Sequence, residues 1–178
     1  MAMAKSDPAD PHLDVGSLLG ALCRNGVDFV VVGGVAGLAL GSAYPTFDLD
    51  VAYARETANI ERLVRALREL DVSLRGAPAD LPFQLDARTI QNGANFTFDS
   101  RFGKFDVLGD LEGSGGYARL RKSASISSLA GHDVRIASID HLIAMKRAAN
   151  RPKDRNMLEE YIVLADEIRR SEAEGKRS

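Results

Sequence analysis

Residues 29–53 read FVVVGGVAGLALGSAYPTFDLDVAY. Phe29, Val30, Val31 and Val32 form an apolar run of β-branched and aromatic residues, the composition of a buried strand. Gly33 and Gly34 follow at once, where a backbone free of Cβ lets another group approach closely. Residues 35–40 are small, apolar and compatible with a helix, so the glycine turn offers free N–H groups at a helix N-terminus, a suitable place for phosphate. Next comes Phe-Asp-Leu-Asp-Val-Ala-Tyr at 47–53. Strand periodicity puts Phe47, Leu49, Val51 and Tyr53 on one face and Asp48 and Asp50 side by side on the other. Two like charges there repel unless a cation lies between them. A divalent metal answers that need, because Mg²⁺ takes carboxylate oxygens together with substrate phosphates. The simpler alternative leaves both carboxylates facing water on an edge strand.

Working outward, the chain of 178 residues is 45% hydrophobic and 27% charged, which predicts a soluble globular protein. The formal net charge of −2 excludes nucleic-acid binding driven by global charge and leaves only local basic clusters. Cys23 is the single cysteine, so no intramolecular disulfide forms and a cytoplasmic location is expected. No apolar run approaches the ~20 residues of a membrane span, and the first residues lack the apolar core of a signal peptide. Residues 1–13 are expected to be a disordered lead-in.

Asp14 caps a first helix to about residue 25, with Val15, Leu18, Leu19 and Leu22 as its apolar stripe and Cys23 packing beside it. Thr57 is expected to cap a second helix over 58–70, with Arg62, Arg65 and Arg68 facing water. A short strand at 72–74, a loop at 76–82 and a helical turn at 86–92 follow. Residues 94–99 and 103–108 read as a hairpin. Its second strand puts Lys104, Asp106 and Leu108 on one face, a break in amphipathic pattern of the kind found at functional sites. The structural alternative is a surface pair between Lys104 and Asp106. The Gly-rich link 109–116 lacks the Lys-Ser/Thr of a phosphate loop. A basic helix at 117–122 precedes a second hairpin, with Ala130-Gly131-His132-Asp133 as its turn. Ser138 caps a helix over 139–150, and Pro152 opens a last helix from 153 to about 170. The expected organisation is a core over 14–137, a helical C-terminal part of the same domain over 138–172, and a frayed tail at 173–178.

Residues 141–155 hold five cations, Lys146, Arg147, Arg151, Lys153 and Arg155, against one acid, Asp154. In a chain of net −2 this asymmetry reads as a clamp for triphosphate or RNA backbone. Cations near a helix C-terminus are also favoured by the dipole, which accounts for part of it.

Taken in order, Gly33-Gly34, Thr46-x-Asp48-x-Asp50, Lys104-Phe105-Asp106 and Lys146-x-x-Ala149-x-Arg151-Pro152-Lys153-Asp154 resemble the motifs of the nucleotidyltransferase superfamily with the DNA polymerase β fold. Within it the chain is similar to the AbiEii-type toxin and minimal nucleotidyltransferase group. The resemblance implies an α/β (α+β) fold, a mixed sheet flanked by helices with the C-terminal helices packed on it. It assigns Asp48, Asp50 and Asp106 to Mg²⁺ (or Mn²⁺), and Lys146 to the catalytic set. Gly33, Gly34, Thr46, Lys104, Arg151, Lys153 and Asp154 fall to the NTP. The implied reaction is transfer of an NMP from an NTP to an acceptor hydroxyl, with Asp106 helping to deprotonate the acceptor. The main acceptor expectation is RNA, a tRNA 3′ end, with the chain as the toxin of a toxin–antitoxin pair. Alternatives are a small hydroxyl compound of antibiotic type, a protein side chain, or a non-catalytic nucleotide-binding module. Arg119, Arg121 and Lys122 speak for RNA, while 6% aromatic content without tryptophan speaks against base stacking. Two positions depart from the family pattern: Tyr44 stands where an Arg is common, and Met157 where an acid is common.

Overall fold

The four apolar residues of β1 (Phe29–Val32) are all buried, as expected of a strand with neighbours on both sides and both faces covered. A computed structural model describes residues 12–78, 80–152 and 154–175. α1 (Val15–Arg24) precedes β1, and the Asp14 carboxylate accepts the Ser17 N–H at its N-terminus. α2 (Gly33–Leu40) leaves β1 without an intervening turn, so the two glycines form the first helical residues rather than a separate loop. β2 (Asp48–Tyr53), α3 (Thr57–Glu69), β3 (Ser73–Leu74) and α4 (Ala87–Asn92) follow. The hairpin of β4 (Asn95–Ser100) and β5 (Gly103–Leu108) comes next, then α5 (Tyr117–Ser123), β6 (Ser125–Leu129) and β7 (His132–Ile136). α6 (Ile139–Ala149) and α7 (Asp154–Gly175) complete the chain.

The strands form one seven-stranded sheet in the order β3-β4-β5-β2-β1-β7-β6. It is mixed: β2 runs parallel to β5 and β1 parallel to β7, whereas the β1–β2, β3–β4, β4–β5 and β6–β7 pairs are antiparallel. The two faces divide by residue parity. Leu49, Val51, Tyr53, Phe105 and Val107 are fully buried on one face. Asp48, Asp50, Lys104, Asp106 and Leu108 alternate with them and occupy the other. α1 and α3 add Leu18, Leu19, Leu22, Leu63 and Leu67 to the same core, all at zero exposure. Arg62, Arg65 and Arg68 point outward, as expected.

Several local expectations are corrected. Phe47 does not share the buried face of β2; it precedes the strand and is 74% exposed. Thr57 is the first residue of α3 and Glu56 takes the cap position, without a side-chain bond. Cys23 is exposed rather than packed, because the buried stripe of α1 ends on Leu22. His132 begins β7, and the turn is only Ala130-Gly131, both at positive φ. α7 starts at Asp154 and continues to Gly175, past the expected end near 170. Residues 1–11 and 176–178, and with them most of the lead-in and half of the tail, lie outside the described residues. Leu13 packs against the core, and the Asp14 N–H donates to Phe102 O at 2.8 Å. Among the described residues no helix is long and apolar enough to cross a membrane.

Candidate active site

Sheet register builds the site. Asp50 on β2 lies opposite Asp106 on β5 and opposite Val32 on β1, while Asp48 lies opposite Lys104. Parallel pairing of β2 with β5 therefore brings together acids 56 positions apart in sequence, and period two aims all three at the same side. Carboxylate oxygens of Asp48, Asp50 and Asp106 lie within 4.8 Å of one another. The charges crowd: burial first, then repulsion from Asp48 and Asp106, pushes the Asp50 carboxyl up to about 7, although Lys146 and Arg75 oppose the shift. Burial also raises Asp106, against the pull of Arg75. Three converging hard-oxygen donors whose ionised forms destabilise one another fit a divalent cation.

The two glycines have separate tasks. Gly33 has φ +64°, and a Cβ there would sit 2.1 Å from Asp50 Oδ2. At Gly34 a Cβ would meet Thr46 Oγ1 at 2.5 Å. Thr46 in turn donates toward Asp48, with its Oγ1 3.2 Å from both the carbonyl and Oδ1. So the start of α2 is pressed against β2 and the residues leading into it, which only a backbone without side chains allows. Gly33→Ala is expected to displace Asp50, with transfer activity falling at least about tenfold and Mg²⁺-induced thermal stabilisation shrinking with it. An alanine variant with wild-type metal response in a melting assay would separate Gly33 from the carboxylate site.

The helical side comes from α6 and α7. Lys146 Nζ donates to Asp154 Oδ1 at 2.7 Å, and the Asp154 side chain is only 6% exposed. The turn between these helices, opened by Asn150 in the left-handed region, makes this pairing across eight positions possible. Arg151 is exposed and lines the same cleft. Lys104 lines it too. Lys153 lies outside the described residues. Together these elements enclose a cleft of about 730 Å³ that includes Gly33, Gly34, Thr46, the three aspartates, Lys104, Lys146, Arg151 and Asp154, a volume suited to a small molecule.

Sequence reasoning missed two contributors. Arg75 follows the two-residue β3, and its N–H bonds Thr97 O, which extends the ladder by one position. From there Arg75 Nη2 donates to Asp106 Oδ1 at 2.8 Å and Nε to Asp99 Oδ1 at 3.2 Å. Asp106 thus pairs with Arg75 across strands. A strand this short gives no periodic signal, and the alternate spacing of Ser73 and Arg75 was the only hint. Tyr161 on α7 also reaches the cleft wall. Its hydroxyl has no hydrogen-bond partner among the described residues. Burial, then Glu160, Asp50 and Asp154, push it up to about 12. A Cβ on Gly37 would lie 2.2 Å from that hydroxyl, so Gly37 admits the ring. Tyr44 and Met157 both line the cleft.

No protein-family model matches the chain, and no curated protein matches its sequence. Solved structures do match its fold. The lincosamide antibiotic adenylyltransferase LnuA, solved with lincomycin bound, superposes with a TM-score of 0.57 at 10% identity, over 86% of this chain and 99% of that one. ANT(2")-Ia, in complex with adenylyl-2"-tobramycin, gives 0.55 at 16% identity, over 86% of this chain and 87% of that one. A solution structure of the antibiotic-resistance factor ANT(2'')-Ia gives 0.51 at 15% identity, over 92% and 93%. The chain has a nucleotidyltransferase-like fold. At these identities the likeness establishes architecture, and the AbiEii-type grouping receives no separate support from it.

Proposed function

We propose that this protein is a metal-dependent nucleotidyltransferase that moves an NMP from an NTP to a hydroxyl of a small compound. The observation that carries this reading is the convergence of Asp48, Asp50 and Asp106 in one cleft with Lys146 and Arg151, on this fold. Support for a small acceptor comes from the neighbours, which are described with lincomycin and with adenylyl-tobramycin. The RNA reading has less behind it. Arg121 on the basic helix α5 is engaged by Asp28. A tRNA acceptor, an antitoxin partner and a toxin role draw no support from the comparisons.

Asp48, Asp50 and Asp106 would hold Mg²⁺ or Mn²⁺, which supplies charge neutralisation for the triphosphate and the departing pyrophosphate. Lys146, fixed by Asp154, presents its ammonium to the phosphates, joined by Arg151 and Lys104. Backbone N–H groups at the start of α2 add donors. Arg75 donates to Asp106 Oδ1 and so helps to fix that carboxylate. The acceptor oxygen bonds to the α-phosphorus while Asp106 Oδ2 takes its proton. The bond from that phosphorus to the bridging oxygen breaks, and its electron pair leaves with pyrophosphate.

Label transfer from the four α-³²P-NTPs with Mg²⁺, to lincomycin, tobramycin, hexyl β-D-glucopyranoside and a tRNA pool in parallel, tests the reading. Metal-dependent label on a small compound is expected. Label on tRNA alone would replace the small-acceptor reading with the RNA one, and absence of NTP binding by titration would remove the activity altogether. Lys146→Ala is expected to weaken NTP binding about tenfold or more and to cost about 1–3 kcal/mol of stability, because it strands the buried Asp154 carboxylate. Lys146→Met with Asp154→Leu should recover the stability but not the affinity. Recovery of both, in melting and titration experiments, would show that Lys146 does not contact nucleotide.

A further inference from the structure

We infer that the acceptor is an uncharged hydroxyl compound that buries an apolar face, and not a polycation. This rests on the nucleotidyl-transfer reading and names the substrate class of that same cleft. The first support is charge. Among the described residues four carboxylates line the cleft: Asp48, Asp50 and Asp106 converge in one cluster, with Asp106 also held by Arg75, and Asp154 is held by Lys146. Arg75, Lys104, Lys146 and Arg151 line the same walls, so among the described residues the cationic side chains match the carboxylates in number. Ammonium groups entering such a site would be desolvated without carboxylates to receive them. Asp110 and Glu112 are exposed and do not line the cleft. Glu160 does not line the cleft either; its Oε1 accepts from Ser42 and from the Ala43 N–H.

The second support is the remaining wall. Leu108 continues the Asp106 face of β5 two residues on, and Leu111 follows it in the 109–116 link. That link packs on α6, where a Cβ on Gly113 would lie 2.5 Å from Ala144 O. Leu142 and Met145 of α6 carry the apolar surface onward, and Met157 of α7 joins it. Phe47 stands beside Asp48, also lining the cleft, with 74% of its surface exposed. Methionines adapt to irregular apolar shapes, and an apolar wall beside a few oriented polar groups selects for one greasy face and a directed hydroxyl.

The test compares methyl β-D-glucopyranoside, hexyl β-D-glucopyranoside and the tetra-amine neamine as acceptors. Wild-type protein is used with Mg²⁺ and labelled NTPs, and the melting shift caused by Mg²⁺-NTP is recorded on the same samples. Hexyl glucoside should exceed methyl glucoside in kcat/KM by about tenfold or more, since partial burial of its extra methylenes suffices for that factor. Neamine should stay at or below methyl glucoside. Equal rates for the two glucosides, or neamine as the better acceptor, would overturn the inference. Transfer to none of the three would overturn it too. In that case a retained Mg²⁺-NTP melting shift leaves the nucleotidyl-transfer reading standing, and a lost one ends both. Leu111→Asp should raise KM for hexyl glucoside at least about tenfold while kcat moves less. An unchanged KM would remove this wall from acceptor binding.

Discussion

Asp48→Ala is expected to abolish nucleotidyl transfer and to leave the protein folded. Asp48 is the first residue of β2, partly exposed, and the buried alternation of that strand begins only at Leu49. Its carboxylate therefore contributes to the cation cluster and little to the core. Loss of a metal ligand at a phosphoryl-transfer centre removes several kcal/mol of charge stabilisation; at about 4 kcal/mol the rate falls about 10³-fold. Folding should not suffer, because Asp48 is one of the two charges that repel Asp50. The measurement pairs label transfer with thermal melting. A folded Asp48→Ala protein that keeps full transfer would remove the carboxylate cluster from the mechanism.

The second large effect concerns stability and pH. Asp50 is raised from its ordinary value of 3.8 to about 7 in the metal-free fold, by burial and by its two acidic neighbours. An acid whose folded value is raised binds its proton more tightly folded than unfolded, so the metal-free protein loses stability as pH climbs from about 4 through about 7. At pH 8 the full cost is present, of the order of about 4 kcal/mol. Asp50→Asn resembles the protonated side chain and removes the cost. In metal-free buffer the variant should melt about 10 °C above wild type at pH 8, and the two should converge near pH 4. Mg²⁺ should raise the wild-type melting temperature at pH 8 and leave the variant nearly unaffected. Melting curves that run parallel across this pH range would show that Asp50 is not held in a crowded, buried cluster.

The effects differ in origin. Asp48→Ala reports on the reaction, whereas Asp50→Asn reports on the free energy of crowding within the carboxylate cluster. A protein that evolved to bind a cation is expected to be more stable with one cluster member neutralised and less active for the same reason.

Some of this was legible in the residues alone. The strand at 29–32, the glycine pair and the alternating 48–53 segment carry local signals strong enough to specify β1, the start of α2 and the charged face of β2, because periodicity and glycine chemistry act over a few neighbouring residues. The Lys104–Leu108 alternation likewise marked a polar sheet face before any strand had a neighbour. From these the sequence determined that Asp48 and Asp50 share one face of β2 and that Lys104 and Asp106 share one face of β5. It did not determine how the strands lie side by side. That β2 pairs with β5 in parallel, with Asp50 opposite Asp106, is a long-range choice settled by burial of Leu49, Val51, Phe105 and Val107 on the opposite face. Arg75 enters for the same reason: a two-residue strand has no pattern of its own and acquires its place only by pairing with β4. The basic stretch shows the same division. Sequence counted its charges, but the turn between α6 and α7 set Lys146 against Asp154, and so decided which of those charges are already engaged within the protein.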